Sequence, residues 1–225
     1  MISRRLLNIL VFISAAVSIY LDLTNNHNLY VIFKPITTIL VLLIPILHGN
    51  KVFGKYRNLT IIALVFCLIG DVFLLEDSRF VLGLGSFLIA HVLFTWSFVT
   101  LDKFNFNIPV MLGFLAFGIG YYAFIYSGLG AMAIPVFAYV LFILTMGWQS
   151  TSLFLKRKEF VFKIMAIGAA CFIFSDAMIA LNKFKFAFEM APLVILASYW
   201  LAIVLLANAA CLISEKQLVS SQTLT

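Results

Sequence analysis

What most constrains this chain is the recurrence of apolar runs long enough to cross a bilayer. A membrane-spanning helix needs about 17–25 predominantly apolar residues. Such runs fill the 225-residue sequence, at roughly 5–22, 29–47, 59–76, 80–101, 108–127, 131–152, 161–181 and 190–213. In lipid every backbone polar group must be satisfied within the protein, and a helix does this within one segment. The expected fold is therefore all-α: a polytopic transmembrane bundle of eight helices, with residues 1–225 as a single integral membrane domain.

Composition excludes the alternatives. The chain is 64% hydrophobic and 11% charged, whereas soluble domains are about half apolar and a quarter charged. Nothing supports a soluble domain or a nucleic-acid partner; the lipid bilayer is the expected surroundings. Cys67, Cys171 and Cys211 all sit in apolar runs and read as small buried hydrophobes.

The breaks carry ordinary stop signals: "HGNKVFGKYRN" at 48–58, "SGLG" at 127–130 and the basic "LKRKE" at 155–159. Pro109 and Pro192 suit first-turn positions, and Pro35 and Pro45 are expected to kink or loosen the second helix. Arg4 and Arg5 before an apolar stretch resemble the start of a signal peptide. The run continues past Ala15 and Ala16 to Leu21, so a retained helix is expected.

Lys and Arg give the orientation. One face collects eleven: Arg4, Arg5, Lys51, Lys55, Arg57, Lys103, Lys156, Arg157, Lys158, Lys163 and Lys216; the other collects three, Arg79, Lys183 and Lys185. Both termini are expected on the cytoplasmic side, in a bacterial inner membrane. A shift of 105 residues lays Asp71 on Asp176 and the basic 48–57 loop on the basic 153–162 loop, the pattern of a parallel four-plus-four repeat.

Charge inside a span is expensive, roughly 2.5–3.5 kcal/mol at a helix centre on insertion scales, so each instance needs a reason. Lys34, Asp71 and Asp176 each fall five residues from the outer end of an expected span, about 7–8 Å deep at the helical rise. His91 falls about 16 Å down the fourth span. Three charges at one depth on three helices imply one polar pocket, with Glu76 and Asp77 at its mouth. A bland reading stands beside each: Lys34 snorkelling to the interface, the aspartates capping or pairing, His91 packing. Tyr199, Asn182, Asn208 and Gln149 have one as well, as interhelical hydrogen-bond glue.

Two carboxylates sharing a dry site do not both ionise easily, which leaves one acid and one base. No G-x-S-x-G elbow exists and no Ser has a clear His partner, so acyl-enzyme chemistry is disfavoured. Three scattered histidines make no convincing zinc site, and the chemistry calls for no metal and no cofactor.

Lys34-Pro35, "LIGDVFLL" (68–75), the spaced Phe80, Gly83, Phe87 and His91, "GAACFIFSDAMIALNKF" (168–184) and "YWLA" (199–202) together resemble the YhhN/TMEM86 family. The resemblance covers nearly the whole chain, and the paired "GD" and "SD" motifs are its most specific part. One departure is Ile203, where the family pattern has a polar Gln after "YWLA". The resemblance implies an eight-helix lysoplasmalogenase-type ether hydrolase acting on a lysophospholipid. It would release a fatty aldehyde and glycerophosphoethanolamine or glycerophosphocholine. It implies Asp71 and Asp176 as the catalytic pair. Lys34, His91, Tyr199 and Asn182 would then bind or orient substrate. A proton-coupled transporter, a lipid-binding protein, a structural membrane protein and a hydrolase of another lysolipid are the rival readings of the same buried residues.

Overall fold

The computed structural model describes residues 2–49 and 54–222, with side chains to Ile213; Lys51 and the side chain of Lys216 lie outside that set. The described residues form eight long helices and no strand: α1 (Arg4–Leu23), α2 (His27–His48), α3 (Gly54–Phe73), α4 (Phe80–Leu101), α5 (Ile108–Ile125), α6 (Ala133–Arg157), α7 (Phe160–Phe184) and α8 (Ala191–Gln222). All eight, some with adjoining 3₁₀ turns, are long and apolar enough to cross a membrane.

Local chemistry explains several ends. Ser3 caps α1 by accepting from the Leu6 amide (3.2 Å), and Asn107 caps α5 by accepting from the Val110 amide (3.3 Å), with Pro109 in the first turn. α2 stays one continuous helix through Pro35 and Pro45. Buried Arg57 finishes that helix by donating to the Pro45 carbonyl (2.7 Å) and the Ile46 carbonyl (3.0 Å). A cation on terminal carbonyls also meets the negative end of the helix dipole. Hydropathy places the end of the third span at 76, but α3 stops at Phe73. The chain then turns through the 3₁₀ segment Asp77–Arg79 into α4. Leu74 and Leu75 are apolar because of what they cover, not because they are helical.

The principal packing pairs close a ring: α3 on α4, α4 on α6, α6 on α7, α7 on α8, and α8 on α3. α2 fits outside the ring between α3 and α8, and α1 covers α2 and α8. α8 is the most buried span and α5, held mainly by α6, the least. Sequential helices pair in the same order within each half. However, α8 packs on α1, and the matching pair α4–α5 is not among the principal contacts. The four-plus-four duplication stays an expectation.

With lipid outside, helices associate through close packing and polar contacts. Both are visible here. Asn8 and Asn208 exchange amide hydrogen bonds (3.2 and 2.9 Å) across α1 and α8, and Ser14 meets Thr37 (2.7 Å) across α1 and α2. In "LIGD", Gly70 lets the Phe87 ring of α4 lie against α3: a Cβ at 70 would stand 2.7 Å from that ring. Phe87 then packs edge-on against Phe172 and Tyr199 (centroids 6.1 and 5.6 Å), filling the centre of the ring of helices.

Gly70→Ala is expected to destabilise by about 1–3 kcal/mol, as overpacking does. Gly85→Ala, where a Cβ meets nothing within 4 Å, is expected to be neutral or slightly stabilising. Thermal melts of the purified variants in detergent check the contrast.

Candidate functional site

α3 and α7 each carry an aspartate into the ring of helices, and each aspartate is held by other helices. Asp71 is almost wholly buried. Its Oδ2 accepts from Thr38 Oγ1 of α2 (2.6 Å) and from the Tyr199 hydroxyl of α8 (2.7 Å). Lys34 Nζ, one helical turn from Thr38, stands 4.0 Å from Oδ1. Trp200 Nε1 in turn donates to Thr38 Oγ1 (3.4 Å). Three donors around one carboxyl is the pattern that suits a carboxylate, which only accepts.

Asp176 is arranged differently. Its Oδ2 accepts from the Tyr139 hydroxyl of α6 and lies 3.1 Å from His91 Nε2 of α4. His91 Nε2 also meets the Tyr139 hydroxyl at 2.8 Å. His91 Nδ1 is buried without a partner. A lone acceptor is the cheaper orphan than a lone N–H, so the tautomer with its hydrogen on Nε2 fits. Among the described residues no donor reaches Asp176 Oδ1, and the carboxyl keeps 10% of its surface exposed, against 1% for Asp71.

Both carboxyls line one cavity of about 250 Å³, together with Lys34, Tyr199, Asn182 and Ser175. By the same measure a water needs roughly 10–15 Å³, so the cavity has room for water beside a substrate. Its rim is formed at the 73–80 and 184–191 end of the bundle by Asp77, Lys183, Ala191 and Pro192. Lys183 Nζ bonds Asp77 Oδ1 at 2.7 Å. Asp22 at the end of α1 and Tyr30 of α2 complete the wall.

A second, apolar cavity of about 60 Å³ adjoins the first. Leu74, Phe80, Phe87, Asp176 and Ile179 line both. Asp71 lines only the polar one, whereas Asp176 stands at the junction.

The sequence-derived set is thus largely gathered, with differences in position. Lys34 is seven residues into α2, Asp71 two residues from the end of α3 and Asp176 eight from the end of α7. Their distances from those helix ends, roughly 10, 3 and 12 Å, are unequal. They meet because α7 reaches past the level at which α3 stops. His91 does not line the cavity; it lies behind Asp176, pressed on Phe172 (centroids 4.6 Å). Glu76 is turned to Arg79 (3.0 Å) and is absent from the rim. Asn182 lines the cavity and also ties the turn before α8 by accepting from the Phe188 amide (3.2 Å). Asn208 serves as interhelical glue, and Gln149 braces the α4–α5 connection by accepting from the Asn105 amide (3.0 Å).

Sequence reasoning missed Thr38, Tyr139, Asp22 and Tyr30. Asp22 carried a signal, as the one carboxylate in the first apolar run, and Tyr30 sits one turn before Lys34. Thr38 and Tyr139 are common in spans and carried none. Among the described residues no three His, Cys, Asp or Glu side chains gather as a metal ligand set.

The fold and cavity define the class: an integral membrane protein of eight helices whose buried cavity is walled by two differently held carboxyls. The chain belongs to the YhhN family, whose model matches residues 29–210. It is 32% identical over 162 residues to the lysoplasmalogenase TMEM86B of Rattus norvegicus, covering 70% of this chain and 63% of that protein. It is 34% identical over 155 residues to the lysoplasmalogenase TMEM86A of Bos taurus, covering 66% and 63%. To the membrane protein YhhN of Escherichia coli O6:H1 it is 27% identical over 146 residues, covering 64% and 69%. The matched part thus spans a little under two thirds of the two lysoplasmalogenases. No solved structure matches.

Lys34→Met is expected to destabilise the protein by about 3–5 kcal/mol, because it leaves Asp71 buried without its cation. Adding Asp71→Asn to Lys34→Met is expected to recover most of that loss. Melting temperatures of the wild type, both single variants and the double variant close the cycle.

Proposed function

We propose that this protein is a membrane-embedded hydrolase that cleaves the vinyl ether bond of lysoplasmalogens by acid–base catalysis between Asp176 and Asp71. The observation that carries the reading is the position of Asp176 at the junction of a polar and an apolar cavity, with Asp71 in the polar one alone. A lysoplasmalogen has the same division. Its glycerophospho headgroup is polar, its tail apolar, and the vinyl ether lies at the join.

Acid hydrolysis of a vinyl ether begins with a proton on the alkene carbon farther from oxygen, the second carbon of the alkenyl chain. Asp176 lies on that side, and among the described residues no donor reaches its Oδ1, which supports assigning it this transfer. The carbon attached to oxygen becomes an oxocarbenium ion. Water from the polar cavity adds there and loses a proton to Asp71. The hemiacetal collapses as its hydroxyl proton passes to the glycerol oxygen, releasing aldehyde and glycerophospho headgroup. A proton returned from Asp71 to Asp176 through cavity water closes the cycle, so one water is consumed. General acid–base help of this kind contributes typically 10²–10⁴-fold.

The supporting residues fall into place around these two. Thr38 and Tyr199 orient Asp71, while Lys34 balances its charge and stabilises the state before the oxocarbenium forms. Tyr139 and His91 orient Asp176. Lys183, at the rim and 40% exposed, suits the substrate phosphate. The eleven basic residues on one face put both termini on the cytoplasmic side of a bacterial inner membrane in this reading, with the cavity mouth outside.

Purified protein in detergent, given a lysoplasmenyl-ethanolamine, is expected to release aldehyde, and none from the acyl-ester analogue. Asp71→Asn and Asp176→Asn are each expected to lower kcat about 10²–10⁴-fold while the protein stays folded. Tyr139→Phe is expected to be milder. Aldehyde absent from folded wild type, or full activity in either aspartate variant, would falsify the reading.

A further inference from the structure

The apolar slot beside the polar cavity shares a second wall with a groove on the outer surface. Below Asp176 the apolar slot of about 60 Å³ is walled by α4, α5, α6 and α7. Phe117, Tyr121, Ile173 and Ala177 line the slot and also a wide apolar groove of about 630 Å³ on the outer surface between α5 and α7. Three spaces therefore run in series: polar cavity, slot, groove. At the passage from slot to groove the Tyr121 hydroxyl of α5 bonds the Ala177 carbonyl of α7. α5 is the least buried span and the ring of helices closes without it. Its Gly113, on the groove, has no atom within 4 Å of where a Cβ would be.

We propose that the alkenyl chain of the lysolipid runs from Asp176 through this slot and leaves between α5 and α7, so that these two helices form the lateral door for substrate and aldehyde. The proposal rests on the lysolipid reading above and adds the tail path to it. Volume divides the tail. At roughly 10–15 Å³ per water-sized sphere, the slot takes about four to six such spheres. That is close to the same number of methylene groups. The first carbons beyond the vinyl ether are then enclosed, and the remainder lies in the groove against lipid. The slot fixes the carbon that Asp176 must protonate. The groove, open along its side, sets no upper limit on chain length. The product aldehyde, more apolar than the headgroup, leaves into the bilayer by the same path, and the headgroup leaves by the polar mouth.

Two photoreactive lysolipids test this, each with a non-cleavable alkyl ether in place of the vinyl ether. One carries a diazirine near the headgroup, about four carbons along the tail, and the other carries it at the tail end. The full-length protein is labelled in vesicles, digested and mapped. The near probe is expected on slot residues such as Val140, Ile143 and Ala180. The far probe is expected on groove residues such as Gly113, Phe174 and Met178. Both signals should be competed by unlabelled lysolipid. In parallel, Ala177→Leu, which narrows the passage, is expected to lower the ratio of kcat/KM for a hexadecenyl over a butenyl lysoplasmenyl substrate at least tenfold. Near-probe adducts outside the slot, far-probe adducts on α1 and α2, or an unchanged ratio in Ala177→Leu would overturn the path. Correct adducts in a protein that releases no aldehyde would support the path for a lipid and sink the hydrolase.

Discussion

The cost of an unpaired carboxyl at membrane depth organises this molecule. Asp71 and Asp176 cannot rely on bulk water, so each must be satisfied by side chains from neighbouring helices. Asp71, on α3, draws its partners from α2 and α8. Asp176, on α7, draws its own from α4 and α6. The two aspartates thus tie together the five helices of the closed ring and the one that braces it. α1 and α5 contribute no hydrogen bond or ion pair to either carboxyl. Buried carboxyls held in this way specify how helices meet, a role that uniform apolar packing in lipid fills poorly.

The same arrangement separates the two carboxyls chemically. Identical side chains acquire different roles when their surroundings differ. Asp71 is surrounded by donors and faces a cation. Asp176 accepts on one oxygen and offers the other to the boundary between polar and apolar space. Phe87, admitted by Gly70, and Leu74, from the turn after α3, help form that boundary. The proposed reaction, with a proton delivered to the second carbon of the alkenyl chain and water added at the first, needs such a boundary. Proton and water must approach from different media.

The opposite end of the bundle shows ordinary membrane-protein engineering. Asp102, after α4, accepts from Lys156 Nζ at the end of α6 (2.8 Å). That hydrogen bond holds its carboxyl below the usual range. Arg57 closes α2 on the same side. These contacts join helix ends on the side of the bundle away from the cavity.

The number of helices, their all-α character and the identity of Lys34, Asp71, Asp176 and Tyr199 as residues needing explanation were all legible in the sequence. The reason is that lipid imposes a one-dimensional rule: a span must be apolar, and each exception is visible in the string. The rule is silent about common residues. Thr38 and Tyr139 are unremarkable in a span, and only the crossing of α2 with α3 and of α6 with α7 turns them into carboxyl partners. It is equally silent about depth. Helix ends depend on where the chain finds a turn, so α3 stops at Phe73 although the apolar run continues to Leu75. His91 looked like a cavity residue and proved to be a support behind one, because its direction is set by Phe172 and Tyr139 on other helices. The sequence by itself determined that the chain carries eight segments long and apolar enough to span a bilayer, with Asp71 and Asp176 inside two of them. Only the tertiary structure decided that both face one cavity and that just one of them touches the apolar slot. Hydropathy is summed along a chain, whereas a site is made by side chains that meet across helices.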